Sequence, residues 1–144
     1  IILAAGRPIL TAPEEIGRFQ PSRILIAWKD TREARRAVRD ALPFLKQAED
    51  VAIAVVNPKD GERAEAQIAD VAQYLARHQV SVGRQIASVG GDSDADILLE
   101  LTHQHDVDLI VAGAYGRTRL GEWIFGGVTR HLLLTSDVPC LLSN

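Results

Sequence analysis

The chain has 144 residues, of which 47% are hydrophobic and 24% are charged, and its formal net charge is −3. This length and composition are typical of one globular domain that buries its own core. A weakly acidic chain has no overall attraction for nucleic acid or anionic membranes, and no apolar stretch approaches the roughly 20 residues that span a bilayer. Nucleic acid and membrane are therefore excluded as expected partners.

The first elements in chain order are a predicted strand at residues 7–12 and a polar segment at 14–22, whose Gly and Pro indicate a linker. The chain opens without Met inside an apolar segment, so we expect it to be part of a longer protein. Residues 23–28 form a nearly continuous apolar run, typical of a strand that is buried on both faces.

A helix is predicted next, because apolar residues recur at helical spacing between positions 34 and 45. Asp30 or Thr31 can cap this helix, and Pro43 should kink it or end it early. Its opposite side carries a basic run that we interpret as a solvated face, made by Arg32, Arg35, Arg36 and Arg39.

The remaining elements alternate between strands and helices. They are a strand at 51–56, a helix over 64–75, a more polar edge strand at 80–89, a helix around 97–101, a strand at 107–112, a glycine-rich loop at 113–127, a helix at 128–135 and a strand at 138–142. Such alternation predicts right-handed β-α-β units and a parallel sheet that helices cover on both faces.

Two loops are candidate ligand sites, since doubly wound sheets bind ligands beyond the carboxyl ends of strands, where strand order reverses. One loop is 28–31, and the other runs from Gly113-Ala114-Tyr115-Gly116 to Gly126-Gly127-Val128-Thr129. Glycines let backbone N–H groups approach an anion, and a helix N-terminus favours negative charge. The pattern fits a phosphate-binding loop, and it fits glycines that only make turns equally well.

The spacing of Gly113, Gly116 and Gly126 resembles the nucleotide loop of the universal stress protein family. The resemblance runs from about Arg23 to Ser143 and includes the terminal run Val138-Pro139-Cys140-Leu141-Leu142. It implies a Rossmann-like, three-layer α/β sandwich similar to the adenine nucleotide alpha hydrolases, with a five-stranded parallel sheet in the order 3-2-1-4-5. It also implies a stress-response binding module rather than an enzyme.

The resemblance further implies that ATP would lie between the two loops. The adenine and ribose would contact Lys29 or Asp30, Val56, Ala112 and Gly113. The phosphates would contact backbone N–H groups of Gly116, Gly126, Gly127 and Val128, and the hydroxyl of Thr129. Trp28 could stack on the adenine or simply fill the crevice.

Two positions depart from the family pattern. Gly127 stands where the family has a hydroxyl residue, and Lys29 stands where an acidic or amide residue is common. We therefore expect ATP to bind weakly or not at all, and the alternative function is a nucleotide-free dimerisation or interaction domain of a tandem stress protein.

The family also implies a partner. Its last strands pair antiparallel between domains, and some members carry two domains in one chain. By this resemblance, residues 1–13 would be the last strand of a preceding domain, 14–22 a linker and 23–144 the domain itself. We expect the strand at 7–12, a second copy or a tandem domain to pair with the last strand, through Val138, Cys140 and Leu142.

No metal ion and no catalytic residue are expected. His103 and His105 are two residues apart and point to opposite sides of a helix. No residue has an evident partner for activating water, so a slow ATP hydrolase has the least support. Cys140 should be a buried thiol, and a single cysteine in a chain with no visible signal peptide predicts a cytoplasmic protein.

Overall fold

The computed structural model describes residues 6–58, 60–88, 93–114 and 127–144. Within them, strands and helices follow one another much as predicted. They are β1 (Ile9–Thr11), β2 (Arg23–Ala27), α1 (Arg32–Leu45), β3 (Asp50–Val56), α2 (Gly61–Arg77), β4 (Arg84–Ser88), α3 (Asp94–Gln104), β5 (Leu109–Gly113), α4 (Gly127–Thr135) and β6 (Cys140–Ser143). No helix in these ranges combines the length and the apolar character needed to cross a membrane.

The strands in the described ranges form one sheet in the order β1-β6-β5-β2-β3-β4. From β4 to β6 all neighbours are parallel, and their order is the predicted 3-2-1-4-5. The prediction of five strands was wrong, because β1 adds a sixth strand at the β6 edge. β1 runs antiparallel to β6, with Leu10 opposite Leu141. The predicted pairing with the last strand is thus confirmed within this chain, over Ile9–Thr11, whereas pairing with a second copy or a tandem domain stays a prediction.

Helices cover both faces of the sheet. Along β2, Ile24 and Ile26 pack into a cluster with residues of α1 and α2, whereas Leu25 packs into a second cluster with residues of α3 and α4. This alternation is the period of two that places successive side chains of a strand on opposite faces. The predicted three-layer sandwich is therefore confirmed.

Asp108 aligns the two central strands at their amino ends. Its carboxylate accepts hydrogen bonds from the backbone N–H of Ser22, at 2.9 and 3.0 Å, and of Arg23, at 2.9 Å. The Asp108 N–H in turn donates to the Arg23 carbonyl at 2.9 Å. Because both strands start in register, their carboxyl ends also lie side by side, with Ala27 opposite Ala112.

Helix α1 continues past Pro43 to Leu45, so the prediction that this proline would end the helix early was wrong. Proline removes one backbone donor, but the N–H of Lys46 still reaches the Leu42 carbonyl at 3.0 Å. Leu45 is buried in the core, and this burial holds the last turn in place. Tertiary packing here outweighs the local cost of proline.

The segment at 14–22 contains no helix or strand. Phe19 nevertheless packs edge-on against Phe44, with the ring centroids 5.5 Å apart, so the predicted linker is anchored to α1. The division of the chain into a terminal strand, a linker and a domain stays a prediction.

Candidate functional site

The strand order reverses between β2 and β5. Ala27, the last residue of β2, lies opposite Ala54 of β3 on one side and Ala112 of β5 on the other. The loops that follow β2 and β5 consequently leave neighbouring positions of the same sheet edge, which is where open parallel sheets bind ligands. We call this place the carboxyl-edge crevice.

The loop after β2 contains a buried tryptophan, two exposed charged residues and the residue that caps helix α1. Trp28 is 8% exposed and packs in the cluster beneath α1 and α2, so it fills space below the loop. Lys29 and Asp30 are exposed, and the Asp30 carboxylate accepts a hydrogen bond from the Arg35 guanidinium. Thr31 is the N-cap of α1, and its hydroxyl accepts from the Ala34 N–H at 3.2 Å.

We expect the Thr31 cap to contribute measurably to stability. Replacing Thr31 by alanine leaves the Ala34 N–H without its partner and should lower the free energy of unfolding by about 1 kcal/mol. Urea denaturation of the two proteins measures the difference. Thr31→Ser keeps the hydroxyl and should stay close to the original protein, so equal losses in both variants would show that the methyl group, rather than the cap, matters.

Gly113 ends β5 against the first turn of α1. A Cβ atom added to Gly113 would lie 2.6 Å from the Ala34 nitrogen and 2.8 Å from the Glu33 carbonyl carbon. Both are backbone atoms that cannot rotate away. The glycine therefore lets the two loops of the crevice approach each other, a steric role that its place in a glycine-rich loop did not reveal.

The end of β3 contributes Val56, which is half-buried, and Asn57, which adopts a positive φ of 44°. The Asn57 side-chain amide donates to the Asp94 carboxylate at 2.7 Å, which connects this edge to the start of α3. Sequence analysis did not assign Asn57 or Asp94 to the site. The sequence feature that could have pointed to Asn57 is the Asn57-Pro58 pair, which directly follows a predicted strand.

Helix α4 begins at Gly127, which is exposed, and continues with half-buried Val128 and buried Thr129. The imidazole of His131 contacts the Asp96 carboxylate at 3.3 Å, which ties α4 to α3. Gly116 and Gly126, also predicted to bind phosphate, lie outside the described residues.

Three of the predicted nucleotide-binding residues border one apolar cluster. Ala112 is part of the cluster beneath α3 and α4, and both Val56 and Val128 pack against it. The structure thus brings together the ends of β3 and β5 and the start of α4 on this face of the sheet.

Cys140 is a buried thiol, as predicted. Burial raises the pKa of this thiol, and side-chain hydrogen bonds with Ser136 and Thr11 oppose the rise only in part. A thiol with a raised pKa stays protonated at neutral pH and is a poor nucleophile. In the described part of the chain, no three His, Cys, Asp or Glu side chains meet in a group that could hold a metal ion.

A cavity of about 590 Å³ lies between α1 and α2, the helices that cover the other face of the sheet. Among the predicted nucleotide-binding residues that the structure describes, Asp30 alone lines it. The cavity and the carboxyl-edge crevice therefore meet at the loop at 28–31, but they lie on different faces of the sheet.

Comparisons with known proteins agree with this fold. The model of the universal stress protein family matches residues 21–144. A universal stress protein from Archaeoglobus fulgidus has the same fold, with 21% identity, 85% of this chain and 98% of that chain covered, and a TM-score of 0.71. No curated protein sequence matches the chain.

Two further structures of this fold hold ligands. A universal stress protein from Archaeoglobus fulgidus in complex with dAMP is 18% identical over 88% of this chain and 100% of that chain, with a TM-score of 0.67. A universal stress protein in complex with cAMP is 17% identical over 88% and 99%, also with a TM-score of 0.67. At these identities the likeness concerns the fold alone.

Proposed function

The chain belongs to the universal stress protein family, and from that premise we propose that it is a stress-response binding domain that holds an adenine nucleotide weakly in the carboxyl-edge crevice. One observation carries the proposal: Val56, Ala112 and Val128 border the same apolar cluster, at the edge where the strand order reverses. Such a position, with an apolar platform and a helix start beside it, suits a ring that carries a phosphate.

The ligands of similar structures support this choice. dAMP in one and cAMP in the other each combine an adenine with one phosphate. In this chain the adenine would lie on the platform of Val56 and Ala112, and the phosphate would meet the backbone N–H groups at the start of α4. Asp30, held by Arg35, would accept a hydrogen bond from the ribose.

We expect the binding to be weak because two residues of the crevice differ from the family pattern. Gly127 offers a backbone N–H but no hydroxyl, and Lys29 carries a cation where an acceptor for the sugar is common. Both fall on loops that face the same ligand, so their effects can add up. The remaining donors of α4 should keep some affinity for anions.

Calorimetry with ATP, ADP and AMP tests the proposal. Among the described residues, a Cβ atom at Gly127 would meet nothing within 4 Å, so serine fits there. Gly127→Ser should tighten ATP binding by about 2- to 10-fold, the effect of one net hydrogen bond. The double variant with Lys29→Asp should tighten it further, because it removes the cation and adds a second acceptor beside Asp30 on the facing loop.

Gly127→Ala is the matched control, because it adds a Cβ atom without a hydroxyl. Equal affinities for the alanine and serine variants would mean that the hydroxyl makes no phosphate contact. Suppose that the unmodified chain binds ATP with micromolar affinity and that Gly127→Ser does not increase this affinity. The expectation that Gly127 and Lys29 weaken binding would then be wrong.

A second candidate is a nucleotide-free interaction domain, and the antiparallel pairing of β1 with β6 favours it. The pairing supports the idea that the β6 edge, through Cys140 and Leu142 with Val138 beside them, is built to accept a strand from a partner domain. Under either candidate we propose a binding role rather than a catalytic one, and a cytoplasmic location that suits the buried free thiol of Cys140.

A further inference from the structure

The cavity between α1 and α2 has the size and floor of a ligand site. Its volume of about 590 Å³ lies within the range of roughly 300–1,000 Å³ that is usual for small-molecule pockets. Trp28, Val38 and Val71 supply apolar surface, and Tyr74 of α2 adds a second aromatic ring. These side chains suit a flat ring.

The α1 wall of this cavity is cationic. It carries four arginines, whereas two aspartates, Asp30 and Asp70, complete the charged lining, so cations outnumber anions. Arg35 is paired with Asp30. Within the described part of the chain, Arg39 has a long contact with its neighbour Asp40, at 3.8 Å, and its side chain is 69% exposed. That guanidinium can turn towards a ligand at little cost.

Trp28 presents its ring to the cavity rather than its indole N–H. Its Nε1–H is buried, with almost no accessible surface, and has no hydrogen-bond partner among residues 6–58, 60–88, 93–114 and 127–144. An oxygen atom in the cavity therefore does not reach this donor, and what the residue offers a ligand is the apolar surface of its ring.

We propose that this cavity binds a small aromatic anion, a compound with one ring and a carboxylate or phosphate group. The ring would lie on Trp28, Val71 and Tyr74. The anionic group would be bound by the α1 arginines, whose planar guanidinium matches carboxylate and phosphate oxygens in pairs. Beyond the loop at 28–31, the described lining of this site comes from α1 and α2, so the proposal does not require that a nucleotide binds in the carboxyl-edge crevice.

The test uses the full chain and four probes. Benzoate and phenyl phosphate carry both the ring and the charge, inorganic phosphate carries only the charge, and benzyl alcohol carries only the ring. Calorimetry should show saturable binding of at least one aromatic anion, about tenfold tighter than either partial probe. In nitrogen–proton NMR spectra, the same probe should shift the indole N–H signal of Trp28, which Trp28→Phe identifies.

Arg39→Gln should weaken binding of the aromatic anion by about tenfold, the effect of one hydrogen bond to a charged group. The matched control is Arg77→Gln, which makes the same charge change on α2 outside the cavity lining and should alter affinity by less than about twofold. Trp28→Phe should weaken binding by about three- to tenfold, because the smaller ring offers the ligand less apolar contact surface.

Arg39 is exposed, and glutamine has a similar helix propensity, so the variant should fold normally, as circular dichroism will verify. If none of the aromatic anions binds, the proposal is wrong. Equal weakening by Arg39→Gln and Arg77→Gln would also overturn it, because such a result indicates general charge attraction. So would tight binding that leaves the Trp28 indole signal unmoved.

Discussion

Replacing Gly113 by alanine is expected to lower the free energy of unfolding by about 1–3 kcal/mol, the usual cost of overpacking, and to weaken any nucleotide binding. The added Cβ atom would overlap backbone atoms of Glu33 and Ala34, at 2.8 and 2.6 Å. The first turn of α1 must then move away, and it carries Thr31 and the preceding Asp30 with it. Urea denaturation and calorimetry on the same preparations measure both losses.

The control for Gly113→Ala is Gly127→Ala in the same crevice. No atom of the residues that the structure describes lies within 4 Å of a Cβ atom at Gly127, so alanine there should change stability by no more than about 0.5 kcal/mol. Similar losses in both variants would mean that glycine is needed in this region for backbone conformation rather than for close approach. If Gly113→Ala leaves the free energy of unfolding and the nucleotide affinity unchanged, α1 can shift without a loss of stability or of binding.

Deleting residues 1–12 is expected to change the oligomeric state. The deletion removes β1 and leaves β6 as an edge strand with unpaired backbone groups, an arrangement that invites pairing with another chain. We expect light scattering to report a mass of at least two chains for the truncated protein. At the same concentrations, the complete chain should have the mass of a single chain.

A synthetic peptide of residues 6–13 provides the control for the deletion. Added in excess, it should occupy the β6 edge in the place of β1 and return the truncated protein to the mass of a single chain. If truncation leaves the mass unchanged, or if the peptide has no effect on an assembled truncated protein, the β6 edge is not the contact surface.

The central strands were predictable because the residues of each strand are enough to show that it is buried. Runs such as 24–26 and 51–55 are apolar at every position, as strands covered on both faces must be, and they became β2 and β3. The strand order came from the family resemblance rather than from these patterns. The pairing of β1 with the last strand also came from that resemblance, whereas its place as a sixth strand of the same sheet was not predicted.

Features that depend on distances between elements escaped sequence analysis. The need for glycine at 113 arises from how closely β5 approaches α1, and the cavity beside Trp28 arises from the spacing of α1 and α2. The arginines of α1 were interpreted as a solvated face, which their exposure supports, but no local pattern indicates that α2 stands opposite them. Similarly, the bond between Asn57 and Asp94 joins residues from separate elements.

The pairing of β1 with β6 also joins parts of the chain that a ribosome makes at different times. Thr11 and Cys140 are 129 residues apart. At about 5–20 residues per second, the first segment waits on the order of ten seconds for its partner. When β6 emerges, its edge can accept the waiting segment of its own chain or that of a neighbouring nascent chain, which is the start of strand exchange. The density of ribosomes on the messenger RNA therefore influences the fraction of molecules in which β1 pairs with β6 of the same chain.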